Sequence, residues 1–350
     1  MDFFVASILF QDGATSGAIY TMLALGFVLV FTTTRIIFAS YGDLIAYSAF
    51  TLHDLQTGRL PGTVMLLVGL AVLAAAVEGI SLARQREFRR LPMALLVWIL
   101  LPGLPVILAF ALQGRDLPLL AQLVLTMLLV IPIAPLLHRI VFQPIETSST
   151  LTLLIVALVL HYVISGLGLL FFGPEGIRTE VLFPGQVDVF GWALPTQFLA
   201  VLATAIGLST ALALFFNASL LGKALRATAY NRDGARLVGI STRASGTLAF
   251  SLAGVIAAAV GILISPTVVI YYDSGLMIGL KGFVSAVLGG FASYPLAVLG
   301  SVLIGMIEAF SAFFASSMKE VIVFLAVIPI ILLRWLSARH DVEDEEEEIA

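Results

Sequence analysis

The sequence predicts an all-α polytopic membrane protein of about 11 passes, including broken or re-entrant helices, on three observations. Hydrophobic residues are 60% of the 350 and charged residues only 11%, whereas a soluble domain carries about 25% charged residues. Long uncharged runs recur, including Leu91–Gly114, Leu117–Leu137, Thr147–Phe172, Val189–Gly222 and Ala244–Tyr272; about 20 mostly apolar residues cross a bilayer core. Lysine and arginine are distributed unevenly over the intervening loops. So few charges cannot cover a solvated surface, so most of the exterior must face lipid.

Taken in order, the runs place spans near 17–34, 63–83, 93–112, 119–140, 150–172, 192–216, 245–265, 295–314 and 319–336. Prolines, glycines and short charged loops separate them. Two shorter stretches, 41–52 and 275–291, fit broken, re-entrant or tilted helices, and counting both gives the 11 passes. The N-terminal MDFFVASILFQDGATSG has no basic segment and no small-residue cleavage site, so no cleaved leader is expected. The net charge of -4 comes largely from Asp341–Glu348, within an acidic tail, 337–350, expected to be disordered and solvated. Residues 1–336 read as a single transmembrane domain.

Alternation over 11 passes puts Arg35, Arg84, Arg86, Arg89, Arg90, Arg139, Lys223, Arg226, Arg232, Arg236, Arg243, Arg334 and Arg339 on one side. Arg59, Arg115, Arg178 and Lys319 fall on the other, and Lys281 lies inside a span. The richer side is expected to be cytoplasmic. That orientation puts the N-terminus outside and the acidic tail inside.

The most informative polar stretch is LGKALRATAYNRDGARLVGISTRAS, residues 221–245. Alanines, Leu225 and Leu237 alternate with basic residues, which predicts short amphipathic helices broken at Gly234 and Gly239. On composition it is either a basic loop that fixes topology or a docking element for a partner's groove. Small residues recur at helix-packing spacing: Gly13 and Gly17; Gly282, Ala286 and Gly290; Ala297, Ser301, Gly305 and Ala309. Such faces serve packing within one subunit, or a subunit interface or pore lining.

Ionisable residues inside spans are costly and therefore candidate functional groups. Lys281 and Glu308 are two, and pairing would offset part of their burial cost. Tyr41 and Asp43 flank Gly42 where the first hairpin turns, and Glu78 and His161 lie in or near spans. A lone His161 makes no metal site. The chain has no cysteine, which removes disulfide and thiolate chemistry. It also lacks a G-x-x-x-x-G-K-[ST] phosphate loop, H-E-x-x-H and G-x-S-x-G. A conduit without its own catalytic site is the simplest class.

Four stretches resemble the permease subunits of branched-chain amino-acid-type ABC importers, in particular the LivH-like half of the permease pair. They are GAIYTMLALGFVLVFTTTRIIFASYGD (17–43), HRIVFQPIETSSTLTLLIVALVLHYVISGLGLLFFG (138–173), LGKALRATAYNRDGARLVGIS (221–241) and GLKGFVSAVLGGFASYPLAVLGSVLIGMIEAF (279–310). Together they cover about a third of the chain, in the family's order. The resemblance implies a bacterial inner-membrane importer for branched-chain or other amino acids or related small polar organic solutes. It further implies two ATPase subunits, a second permease chain of LivM-like type and a periplasmic substrate-binding protein. No cofactor would belong to this chain, because ATP binds the partner. Residues 217–243 become the ATPase-coupling loop, with Gly222, Arg226, Asn231, Asp233, Ala235 and Gly239 on the family pattern. Sugar- or nucleoside-type importer permeases share the late glycine-rich helix, and a stand-alone ion-driven transporter is the alternative from another class.

The departures concern the first hairpin and the span count. Where the family reads close to R-V-I-N-F-A-H-G-E, this chain reads RIIFASYGD, with Phe38, Tyr41 and Asp43 in place of Asn, His and Glu. His138 stands where Glu is frequent. Residues 63–112 read as a two-span insertion, which preserves the topology of everything after it.

Overall fold

A computed structural model of the chain describes residues 3–86, 89, 91–189, 192–291, 293–329 and 332. The acidic tail, Arg90, Arg334 and Arg339 lie outside the described residues.

The first helix, α1, runs Phe3–Thr34. It starts well before the expected residue 17, because the apolar segment ahead of Gly13 continues the same helix. Thr33 and Thr34 donate back to the carbonyls of Leu29 and Val30, and Arg35 in the left-handed region (φ 62°) ends it. Next come α2 (Tyr41–Gln56) and α3 (Thr63–Gln85). Helix α4 (Pro92–Leu112) contains a π-helical turn at Leu96–Leu100. The proline-bearing segment at Pro102 and Pro105 follows it, where ring nitrogens cannot donate to the helical ladder. Helix α5 (Leu119–Ile145) loosens in the same way after Pro132 and Pro135, into a π-turn at His138–Phe142. Helix α6 (Thr150–Phe172) is capped by Ser149, which accepts from the Thr152 N–H.

A two-stranded antiparallel hairpin follows, β1 (Gln186–Val189) with β2 (Trp192–Pro195), in the register Gln186↔Pro195. It departs from the all-helical expectation and moves the start of the next helix from 192 to 196. The apolar WALP segment had read as part of the span. The remaining helices are α7 (Thr196–Ala218), α8 (Leu220–Tyr230), α9 (Arg232–Leu237), α10 (Thr242–Ile264), α11 (Ser274–Leu288), α12 (Tyr294–Phe314) and α13 (Lys319–Leu325).

Among the described residues, α1, α3, α4, α5, α6, α7, α10 and α12 are eight helices long and apolar enough to cross a membrane. Helices α2 and α11, of 16 and 15 residues, are shorter, as their sequences predicted. The span expected at 319–336 begins with α13 and runs partly into residues outside the described set.

The chain divides into two compact units, one of residues up to Leu25 with those from Lys281 onward, the other Gly26–Leu280. In the Gly26–Leu280 unit, α2 is the buried centre. It ties to α6 in a stripe: Ser40 Oγ donates to the Ala157 carbonyl (3.2 Å), His161 meets Asp43, and Tyr47 Oη donates to the Ile164 carbonyl (2.9 Å). These positions ascend together, so α2 and α6 run in the same direction. Ser48 Oγ donates to Ala258 of α10 (2.8 Å) and Phe38 packs on Phe250 with centroids 4.8 Å apart, so α10 runs the same way too. Helix α5 runs opposite to α10, with Gly254 against Ile131 and Gly246 against His138.

In the other unit, α1 and α12 cross in opposite directions through small residues. Gly17 meets the Val302 backbone and Gly305 meets Gly17, so a Cβ at either position would strike main chain. Helices α11 and α12 close in the same manner, Gly289 on Ala297 and Gly300 on Leu288. The small-residue faces therefore pack within this chain, where dispersion across close backbones replaces the hydrophobic effect that lipid does not supply.

Candidate functional site

The segment from Ser219 to Thr242 folds as two short helices, each opened by a side-chain cap. Ser219 accepts from the Gly222 N–H, Asn231 from the Gly234 N–H, and Ser241 from the Ala244 N–H at the start of α10. Each cap satisfies an N–H that the helix itself leaves unpaired. The break between the helices falls at Asn231, not at Gly234, which lies inside α9; a capping carboxamide decides the boundary. Gly239 does end α9: its φ is +84°, with the Ile240 N–H returning to the Ala235 carbonyl (2.9 Å).

The six residues on the family pattern divide by position. Gly222 lies against the Phe215 carbonyl and Phe216, so α8 abuts the end of α7 where no side chain would fit. Ala235 is buried, Asn231 caps and Gly239 turns. Arg226 and Asp233 face out, Asp233 with 93% of its side chain exposed. Arg226 donates to Asn217 Oδ1 (3.1 Å). Around them Leu220, Tyr230, Leu237 and Val238 are exposed at 84%, 94%, 89% and 76%. Exposed large apolar side chains grouped with charge make this surface a candidate interaction site.

One carboxylate ties this segment to the helices beside it. Glu146, just past the end of α5 and only 12% exposed, lies 3.1 Å from Arg232, 3.7 Å from Arg236 and 3.8 Å from Arg243. It was not among the sequence candidates. Arg139 and Glu78, 2.5 Å apart, make a neighbouring pair between α5 and α3.

A second polar group surrounds the start of α2. Asp43 is fully buried, and His161 Nδ1 is 2.9 Å from both of its carboxylate oxygens. The pairing gives His161 a partner that its isolation in sequence concealed. Asp43 is in the first turn of α2, where a carboxylate complements the helix dipole. Gly42 and Asp43 abut Gly275 in the first turn of α11, so two helix starts meet here. Tyr41 turns the other way: its hydroxyl rests on Gly26, in the second half of α1, and has no hydrogen-bond partner among the described residues.

The third group lies within the unit that begins again at Lys281. Lys281 Nζ is 2.5 Å from Glu308 Oε1 and 3.1 Å from Glu320 Oε1. The Tyr20 hydroxyl donates to the other oxygen of Glu308. Lys281 and Glu308 therefore pair, and Tyr20 and Glu320 complete a cluster that the sequence showed only in part. Among the described residues no group of three or more His, Asp or Glu side chains is arranged to hold a metal ion.

Comparison with known proteins agrees with the resemblance. The High-affinity branched-chain amino acid transport system permease protein LivH of Salmonella typhimurium and that of Escherichia coli are each 30% identical over 203 residues, 56% of this chain and 66% of theirs. The corresponding protein BraD of Pseudomonas aeruginosa is 28% identical over 204 residues, with the same coverage. The chain thus spans just under two thirds of the length of these relatives. No solved structure matches. The family described as branched-chain amino acid transport system / permease component matches residues 103–333, well over half of the sequence, and this chain belongs to that family.

Proposed function

We propose that this chain is a permease subunit of a bacterial ABC importer. It lies in the inner membrane as a multi-pass protein and forms part of the translocation pathway for branched-chain or other amino acids or related small polar organic solutes. Separate ATPase subunits supply the energy, so the chain needs no nucleotide site or cofactor of its own. The partners are two such ATPases, a second permease chain of LivM-like type and a periplasmic binding protein. Family membership favours this reading over a sugar-type importer or an ion-driven transporter.

The observation that carries it is the capped double helix at Ser219–Thr242. It is capped from within by Ser219 and Asn231 and presents Arg226, Asp233, Leu237 and Val238 to a partner. A push on this element would pass through Arg232, Arg236 and Arg243 to Glu146 at the end of α5, and through Gly222 to the end of α7. Closure of paired ATPases supplies such a push, and rigid-body movement of packed helices converts it to a change of access. In this reading the meeting helix starts at Gly42, Asp43 and Gly275 belong to the pathway, as broken helices do where they line a transport route.

Eleven passes with the N-terminus outside and the acidic tail inside fit the helix directions. On that count α2, α6 and α10 are even-numbered passes and run together, α5 is odd and runs against them, and α1 and α12 oppose each other. Residues 63–112 stand as a two-span insertion within one permease domain.

Reconstitution tests the function. Proteoliposomes holding this chain, its partner permease, the ATPases and the binding protein should take up amino acid only with ATP. Uptake by this chain alone, driven by an ion gradient, would overturn the reading.

A further inference from the structure

Beside the Glu146 cluster lies a cavity of about 400 Å³, lined by Ile80, Ser81, Arg84, Arg139, Gln143 and Arg243 among others. It is formed by the ends of α3 and α5 and the start of α10, the arginine-rich end of three membrane-crossing helices. Around it and the adjoining cluster five arginines (84, 139, 232, 236 and 243) face three carboxylates, Glu78, Glu146 and Asp233. Positive charge is left over. Arg84 is exposed and makes no ion pair or hydrogen bond among the described residues. Arg243 shares its carboxylate with two other guanidiniums. Gln143 Oε1 is buried without a donor among the described residues.

We propose that this cavity seats the headgroup of an anionic glycerophospholipid, with phosphatidylglycerol as the fitting chemistry. The phosphate would take Arg84 and Arg243, and a glycerol hydroxyl would donate to Gln143 Oε1. Guanidinium suits phosphate oxygens through paired N–H donors. A lipid, rather than a soluble anion, is favoured by the rim: Ile80 is 57% exposed and continues the outward apolar face of α3, with Val72 at 57% and Met65 at 64%. Acyl chains would lie along that face while the headgroup enters at the helix ends. Basic pockets between helices at the cytoplasmic surface bind anionic headgroups in this manner. The α3 wall of the site comes from the two added spans, and Arg243 opens the helix that follows the coupling segment, so a bound lipid would join the added spans to that segment.

The test is lipid retention by the full chain purified in detergent, read by native mass spectrometry after exchange into phosphatidylglycerol or phosphatidylcholine. Wild type should keep one phosphatidylglycerol and no phosphatidylcholine. Arg84→Gln removes no ion pair or hydrogen bond among the described residues, so it should fold, and it should weaken retention about fivefold. Arg243→Gln should act likewise, whereas Arg59→Gln, at a separate pocket, should not. Retention unchanged in Arg84→Gln and Arg243→Gln, or equal retention of phosphatidylcholine, would overturn the proposal. So would displacement of the lipid by millimolar glycerol phosphate or inorganic phosphate, which would assign the site to a soluble anion.

Discussion

The chain holds charge in two contrasting ways. Around Glu146, three guanidiniums with side chains 25%, 46% and 67% exposed share one carboxylate at contacts of 3.1–3.8 Å. Around Lys281, one ammonium that is 9% exposed is gripped by two carboxylates inside a packed helix cluster. Pairs whose cations reach water are screened and individually weak, so they can change partners at little cost. Buried pairs are expensive to break, because whichever group remains has no water to receive it. The first arrangement suits an element that must move and the second suits one that must stay in place. The Asp43–His161 pair, with side chains 1% and 5% exposed, belongs with the second.

Substitutions can break this contrast at graded cost. Lys281→Met should lower stability most, by about 3–5 kcal/mol, since it strands Glu308. Thermal unfolding in detergent measures it, and Lys281→Met with Glu308→Leu should recover much of the loss. A double variant no better than the single one would mean that the ion pair does not hold this unit. His161→Leu leaves the Asp43 carboxylate without its partner and should cost about 3 kcal/mol. Asp43→Asn, which keeps the shape and strands no charge, should cost less; equal losses would show that the cost lies in losing the charged pair and not in stranding the Asp43 carboxylate. Gly239→Ala forces a side chain into the left-handed region and should cost about 1–2 kcal/mol, read from the same melts. Glu146→Gln should cost only about 0.5–1 kcal/mol, yet it loosens the joint between the Ser219–Thr242 element and α5. ATP-driven uptake should therefore fall further than stability does. Parallel losses would place Glu146 with the buried group.

The sequence made the helical membrane class legible because sparse charge and apolar length act over whole segments. The 221–241 element was legible for a different reason: the alternation of apolar and basic residues, and the glycines, act over three or four neighbours. Even so, the boundary at Asn231 was misplaced to Gly234, because a glycine suggests a break while an Asx cap makes one. The 186–195 hairpin was hidden inside an apolar run, since β2 is no less hydrophobic than a helix start. Partners distant in the chain were the least visible. Glu146 meets arginines 86 and more residues away, and Asp43 meets His161 across 118. No local pattern encodes such pairs. Lys281 and Glu308 were the exception, being lone charges in neighbouring apolar helices with few other partners to take.

In the proposed function, the outward face of the Ser219–Thr242 element transmits the ATPase's work while the buried clusters hold the fold. The most direct measurement is ATP-dependent uptake by the reconstituted complex carrying Arg226→Ala with Asp233→Ala, set beside the melting curve of the same preparation. The account predicts a fall in uptake of about tenfold or more, equivalent to about 1.4 kcal/mol of lost coupling, with stability changed by less than about 0.5 kcal/mol. Uptake at the wild-type rate, with the double variant folded, would contradict it.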